Sequence, residues 1–187
     1  FCKKNIDPMV QVKAFIKGVN DEIIEIIVGV IGHLYSNNAQ RGVFKTKDGG
    51  NSWTKTLYIN DETGIIDLDV DPNNFNILFA SSWERQRKAW DFKGNGENSG
   101  IYKSIDSGDT WKLISTENSG FPNGEGVGRI GVAVYDNNTI YAIVDNQFRR
   151  EKKENNESNE LDKNYFEKIT KKDFNNLDEE QLNTFLR

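Results

Sequence analysis

The sequence is poor in the residues that build covalent frameworks and metal centres. Its 187 residues include one cysteine, one histidine, one methionine and three prolines. A lone Cys2 excludes an internal disulfide framework, a thiolate zinc cluster and a Cys-x-x-Cys redox pair. With His33 as the single histidine, a histidine-based triad or zinc site would need residues from elsewhere, and His33 itself reads as a packed side chain at a strand end. Long apolar runs are missing too. The longest, Ile23 to Leu34, contains Glu25 and falls far short of the ~20 residues that cross a bilayer as a helix, so no transmembrane segment is expected. Basic charge is in deficit: 24 Lys and Arg against 29 Asp and Glu give a net charge of −5. Strong non-specific binding to nucleic acid is therefore not expected. The first residues, Phe1-Cys2-Lys3-Lys4, lack an initiator Met and a secretory pattern, so the chain reads as an excised piece or a processed product. Nothing in the sequence calls for a metal or other cofactor.

What the chain does contain is Asn, Gly and aromatic residues, a mixture that suits strands joined by tight turns. It also contains a repeat. Gly42-Val43-Phe44-Lys45-Thr46-Lys47-Asp48-Gly49-Gly50-Asn51-Ser52-Trp53 recurs 58 residues later as Gly100-Ile101-Tyr102-Lys103-Ser104-Ile105-Asp106-Ser107-Gly108-Asp109-Thr110-Trp111. Gly, Lys, Asp, the second Gly and Trp are identical, and the other matched positions keep their physical type. A second echo links Ile65–Val70 and Ile77–Ala80 with Ile130–Val134 and Ile140–Val144. Each unit reads as four short strands. In the complete unit these are Ile65–Val70, Ile77–Trp83, Gly100–Ser104 and Thr110–Ser115, with Pro72 preset for the turn Asp71–Asn74. The unit before contributes Val43–Thr46 and Trp53–Ile59, and the unit after begins with Ile130–Val134 and Ile140–Val144. Roughly two and a half four-stranded antiparallel blades follow, the parts of a β-propeller.

The pattern Ser/Thr-x-Asp-x-Gly-x-Ser/Thr-Trp resembles the Asp-box, or BNR repeat, of sialidase-type and sortilin/VPS10-like propellers. The longer string runs from Arg41-Gly42-Val43-Phe44-Lys45 through Thr63-Gly64, Asp71-Pro72 and Ser99–Lys103 to Gly128-Arg129-Ile130-Gly131. It resembles the large bacterial sortilin-like proteins often labelled glycosyl hydrolases. The resemblance covers about residues 32–148. Residues 1–31 lack the Asp-Pro-x-Asn-Pro turn that joins the first two strands of such a blade, so no strands are assigned there. The resemblance implies a secreted or cell-envelope protein whose Asp-boxes lie away from the working face. Asp48 and Asp106 are then turn-formers that accept backbone N–H groups. Gly50 and Gly108 supply positive φ, and Trp53 and Trp111 place a ring between blades. The competing reading, a catalytic acid or metal ligand at Asp48 or Asp106, is set aside because each lies inside a complete turn signature.

Chain direction locates the working end. The turns at Asp71–Asn74 and at the two repeated Asp positions are short and share one end of the blades. The connections Leu34–Ala39, Asn60–Gly64, Trp83–Ser99, Asn118–Gly128 and the stretch after Gln147 are long and share the other, where binding or catalysis usually resides. On that end Trp83, Arg85, Arg87, Lys88 and Trp90 interleave cations with aromatic rings. They suit a carboxylated sugar or an acidic peptide, or else plug the loop onto the scaffold while the cations stay solvated. Arg129, at the entry to a first strand, points toward a ligand or pairs with a neighbouring blade. Asp61, Glu62, Glu84 and Asp91 are the carboxylates available for acid–base work, and a glycosidase would need two of them ~5–10 Å apart across a sugar.

From Arg149 the chain turns highly charged and reads as a solvated linker. Two short helices follow, marked by the capping pairs Thr170/Asp173 and Asp178/Gln181 and by the stripe Leu182, Phe185, Leu186. The expected organisation is blades over 1–148 and a charged linker with a helical insertion over 149–187. Two and a half blades leave open edges and apolar flanks. The chain is therefore expected to need the rest of a propeller, or another chain, as its partner. Three readings stay open: recognition of a glycan or peptide on the long-loop end, glycoside hydrolysis by the loop carboxylates, and a purely structural blade of a larger assembly.

Overall fold

The computed structural model describes residues 12–19, 22–148, 161, 165–166 and 169–185. The chain divides into two compact units, Phe1–Phe148 and Arg149–Arg187. In the first unit β1 (Val12–Val19), β2 (Glu22–Val30), β3 (Gly42–Thr46) and β4 (Thr54–Leu57) pair antiparallel in chain order. Next, β5 (Thr63–Asp71) pairs with β6 (Asn74–Glu84), and a small hairpin, β7 (Gln86–Arg87) with β8 (Phe92–Lys93), interrupts the connection that follows. β9 (Ile101–Ser104) then returns along β6, and β10 (Lys112–Leu113) closes this second four-stranded sheet. β11 (Val127–Val134) and β12 (Ile140–Asn146) form a further antiparallel pair. The result is an all-β, partial propeller: two complete blades and the first half of a third.

The sheets stack because each carries apolar residues at alternate positions facing its neighbour. β1 and β2 lie against β5, and β11 lies against β5 and β6. Between the first two blades Ile27, Val43, Leu57, Ile65, Leu68 and Leu78 are buried together. Between the second and third, Ile77, Phe79, Ile101, Val127, Ile130 and Val132 make a second core. Each of these larger side chains contributes on the order of 1.5–3 kcal/mol by leaving water. Polar stitches fix the second interface: Val132 N donates to Asp67 Oδ2 at 3.0 Å, Val134 N to Asp69 Oδ2 at 2.8 Å, and Ser81 Oγ to the Ile130 carbonyl at 2.7 Å.

The two repeated turns have one construction. Asp48 Oδ1 accepts from Ser52 N at 2.9 Å and from Thr46 Oγ1 at 2.7 Å, while Oδ2 accepts from Ser52 Oγ at 2.6 Å. Asp106 repeats this with Thr110 N at 2.9 Å, Ser104 Oγ at 2.8 Å and Thr110 Oγ1 at 2.6 Å. Gly50 and Gly108 take φ of 98° and 81°, a region open to Gly at little cost. These donors hold Asp48 far below the usual carboxylate range and bring Asp106 down to about 2.

Two expectations are corrected. Residues 12–30 do form the first two strands of the first blade, because Val12–Val19 pairs antiparallel with Glu22–Val30, and Ile26–Val30 in turn pairs with Gly42–Thr46. The fourth strand of the second blade is shorter than Thr110–Ser115: its ladder with β9 spans Lys112 and Leu113, Ile114 N adds one bond to the Ile101 carbonyl at 2.8 Å, and Thr110 is engaged by the Asp106 turn. The two Trp rings share one contact: each is half-buried and donates Nε1–H to the glycine carbonyl of its own turn, Gly50 or Gly108, at 3.2 Å. Trp111 in addition packs against the first interface and reaches Thr56 Oγ1 of the preceding blade at 3.2 Å.

In the second unit Thr170 caps α1 (Lys171–Phe174), its Oγ1 accepting from Asp173 N at 3.2 Å. α2 (Glu179–Phe185) follows, with Phe185 4.7 Å from the Phe166 ring of the same unit. Of the expected apolar stripe, Leu186 lies outside the described residues, as does the charged stretch 149–157. No helix among the described residues is long and apolar enough to cross a membrane.

Candidate functional site

The long connections meet at one end of the blades and are tied to one another. Asn38 N donates to the Asp61 carbonyl at 3.0 Å, Arg85 N to the Glu62 carbonyl at 3.0 Å, and Gly96 N to the Val127 carbonyl at 3.0 Å. Asn95 Nδ2 donates to the Glu125 carbonyl at 2.6 Å. The opposite end carries the short turns, joined by Ser107 N to the Asn76 carbonyl at 2.9 Å and by Lys47 to Asp109 at 3.0 Å.

Arg41 organises the long-loop end. It stands just before β3 and is 1% exposed. Its Nη1 donates to the Glu62 carbonyl at 2.7 Å, and its Nη2 reaches the carbonyls of Ser36 at 3.3 Å and His33 at 3.5 Å. Arg85, also buried, donates from Nη2 to the same His33 carbonyl at 3.2 Å and lies 5.4 Å over the Trp83 ring. Two guanidinium groups thus converge on one carbonyl. Burial lowers the pKa of both, and the charge of Arg85 lowers Arg41 further, against the opposing pull of Glu62 and Asp61. Neither guanidinium has a carboxylate within ion-pairing distance among the described residues, and the Nε of each has no hydrogen-bond partner.

The β7–β8 hairpin projects from this floor. Lys88 N donates to the Asp91 carbonyl at 2.8 Å to close its tip. Phe92 meets Trp83 edge-on at 6.2 Å, and Arg87 lies 5.5 Å over Phe92. Trp83 anchors the base, half-buried, with Nε1 donating to the Gly94 carbonyl at 2.7 Å. Trp90 sits at the tip and is 83% exposed. Between the hairpin and the 34–37 loop lies a cavity of about 420 Å³. Tyr35 and Asn37 line one side, Gln86, Arg87 and Lys88 the other, and Arg41 also contributes to its wall.

The expected site residues therefore separate. Arg87 and Lys88 reach the cavity and Trp90 stands on the same hairpin, whereas Arg85 and Trp83 are structural supports beneath it. Arg129, exposed in β11, is not among the cavity's lining residues. His33, half-buried, contacts Gln40 Oε1 through Nε2 at 3.2 Å. Among the carboxylates, Glu84 is buried and spent on loop bracing: it pairs with Lys93 at 3.1 Å and accepts from Asn98 N at 3.2 Å and Asn98 Nδ2 at 2.8 Å. Burial pulls Glu84 upward, but Asn98 and Lys93 outweigh it and leave the group below its ordinary value. Asp61 accepts from the Tyr58 hydroxyl, and Glu62 from Asn37 Nδ2 at 2.8 Å. Asp91 is exposed at the hairpin tip. No carboxylate lines the cavity, and no cluster of three or more metal-ligating side chains forms among the described residues.

Arg41 is the residue that sequence reasoning missed as part of the site. The repeat holds a signal for it, since the matching position in the second blade is Ser99. A long cation stands where the repeat carries a small buried hydroxyl.

No protein-family model matches the sequence, and no curated protein does. Among solved structures, the crystal structure of an ancestral GH74 enzyme is similar at 20% identity over 71% of this chain, with a TM-score of 0.46. The chain spans 16% of that protein's length.

Proposed function

We propose that the long-loop end is a recognition surface, of the sortilin-like kind, that binds an extended glycan or peptide between the 34–37 loop and the β7–β8 hairpin. The observation that carries this reading is the hairpin itself. It holds Trp90 83% exposed beside a cavity lined by cations, while its base is braced by Trp83, Phe92 and the Glu84–Lys93 pair. A rigid base under an exposed aromatic tip is what a binding loop on a β-scaffold requires.

Hydrolysis by these loops has less support. It needs two carboxyl groups flanking a sugar. Glu84 is engaged by three donors, and Asp61 and Glu62 are each hydrogen-bonded to side chains of the same end. The test is binding of the chain to a panel of immobilised glycans and peptides, compared between wild type, Trp90→Ala and Phe75→Ala. Phe75 is 61% exposed at the short-turn end and serves as the control. Recognition at the hairpin requires Trp90→Ala to weaken retention at least tenfold while Phe75→Ala leaves it intact. Equal retention by all three would sink the reading.

A further inference from the structure

We infer, on the basis of the recognition reading above, that the ligand is an acidic glycan and that a sugar carboxylate is drawn into the Arg41–Arg87–Lys88 cavity. The argument begins with an excess of buried positive charge. Arg41 is 1% exposed and Arg85 7% exposed, and each is served by neutral carbonyl oxygens without an ion pair among the described residues. A buried guanidinium normally has a paired counter-ion, because desolvating an unpaired charge is costly. Here Asp61 and Glu62 attract Arg41 from nearby without pairing with it. Arg41 reaches the cavity wall with its Nε unpartnered, and the other two cations of that wall, Arg87 and Lys88, are exposed and make no ion pair among the described residues.

Three positive charges therefore border a cavity with no carboxylate in its lining. Glu62, hydrogen-bonded to the lining residue Asn37 at 2.8 Å, offsets part of that charge, but the excess at the lining is positive and favours an anionic occupant. The remaining lining groups are hydrogen-bonding and aromatic: Asn37 and Gln86 face the space, and Tyr35 is 64% exposed at its edge. A sugar acid uses all of them. Its carboxylate meets the cations, its hydroxyls meet the amides, and its ring lies against Tyr35 or Trp90. At about 420 Å³ the cavity also falls within the usual ~300–1,000 Å³ range for ligand pockets.

The test uses an oligogalacturonate and its fully methyl-esterified form, which keeps the sugar chain but replaces each charged carboxylate with a neutral ester, titrated against the whole chain by calorimetry. The acid should bind at least tenfold more tightly than the ester at low salt. Raising ionic strength should shrink that advantage. In the Arg87→Gln/Lys88→Gln variant, changed at two exposed positions, it should fall below threefold. An ester that binds as tightly as the acid, with Trp90→Ala abolishing both, would overturn the acidic-ligand inference and leave recognition standing. Binding of poly-glutamate but not of the oligogalacturonate would overturn the sugar assignment. Failure of acid, ester and poly-glutamate alike would overturn this inference, while the panel with Trp90→Ala decides the recognition reading separately.

Discussion

Lys45 Nζ lies 3.0 Å from Asp109 Oδ1, an ion pair that ties β3 of the first blade to the repeated turn of the second. Lys45 is 2% exposed, and Glu25 Oε1 of β2 stands 3.5 Å from its Nζ. Neither carboxylate is placed for a well-directed hydrogen bond to Nζ, so the contact is held by charge. Removing one partner leaves a buried cation poorly compensated, whereas replacing the cation by an apolar chain does not. Asp109→Asn is expected to cost about 1–3 kcal/mol, and Lys45→Met less than about 1 kcal/mol. Urea midpoints of the two variants check the order, and a larger loss for Lys45→Met would contradict it.

The repeated turns make stability sensitive to acid. Asp48 is held far below its ordinary range and Asp106 at about 2 by the donors of their own turns. Burial raises Asp109, but Lys45 and Lys47 outweigh it and depress the group. A carboxyl depressed in the folded state contributes stability that is complete above its unfolded pKa and is lost as pH falls through the folded one. The melting midpoint should stay level from pH 7 to about pH 5 and fall steeply between about pH 4 and pH 2. In the Asp48→Asn/Asp106→Asn variant that acid limb should be shallower, and an unchanged limb would show that other groups set it.

Glu84 braces the long loop rather than serving as a free acid. A Cβ on Gly96 would lie 2.1 Å from the Glu84 carboxyl carbon, so Gly96→Ala must displace that carboxylate from Asn98 and Lys93. The expected loss is about 1–3 kcal/mol, typical of overpacking. The change should be accompanied by faster amide exchange at 94–99. Normal exchange in that segment would show that the brace is dispensable.

Arg41→Met should cost about 2–4 kcal/mol, because the carbonyls of Glu62, Ser36 and His33 lose a common donor. Arg87→Gln, at an exposed position, should change stability by less than about 0.5 kcal/mol. Thermal melts of the two variants side by side separate the buried structural cation from the exposed one. Equal melting points would contradict the division.

The blades and their repeated turns were legible because their determinants are local. Thr46 to Trp53 contains every donor and acceptor of the Asp48 turn, and the second copy confirms the pattern. The loop asymmetry was legible for the same reason, as spacing between strands. The cavity was not. Arg41 meets Glu62 21 residues away and Arg85 44 residues away, contacts set by the stacking of two blades. Glu84 read as an available acid because its partners Lys93 and Asn98 lie 9 and 14 residues downstream. Arg85 read as ligand-facing because its partner is the His33 carbonyl, 52 residues upstream. Side-chain roles on the loop end depend on packing between blades, which local patterns do not carry.

Backbone amide hydrogen exchange, with and without an acidic glycan oligomer, is the measurement that tests the proposed recognition face most directly. Protection should increase over residues 34–41 and 83–93 and stay constant over 46–53 and 104–111. Protection confined to the repeated turns, or absent from the hairpin while binding occurs, would contradict a working face at the long-loop end.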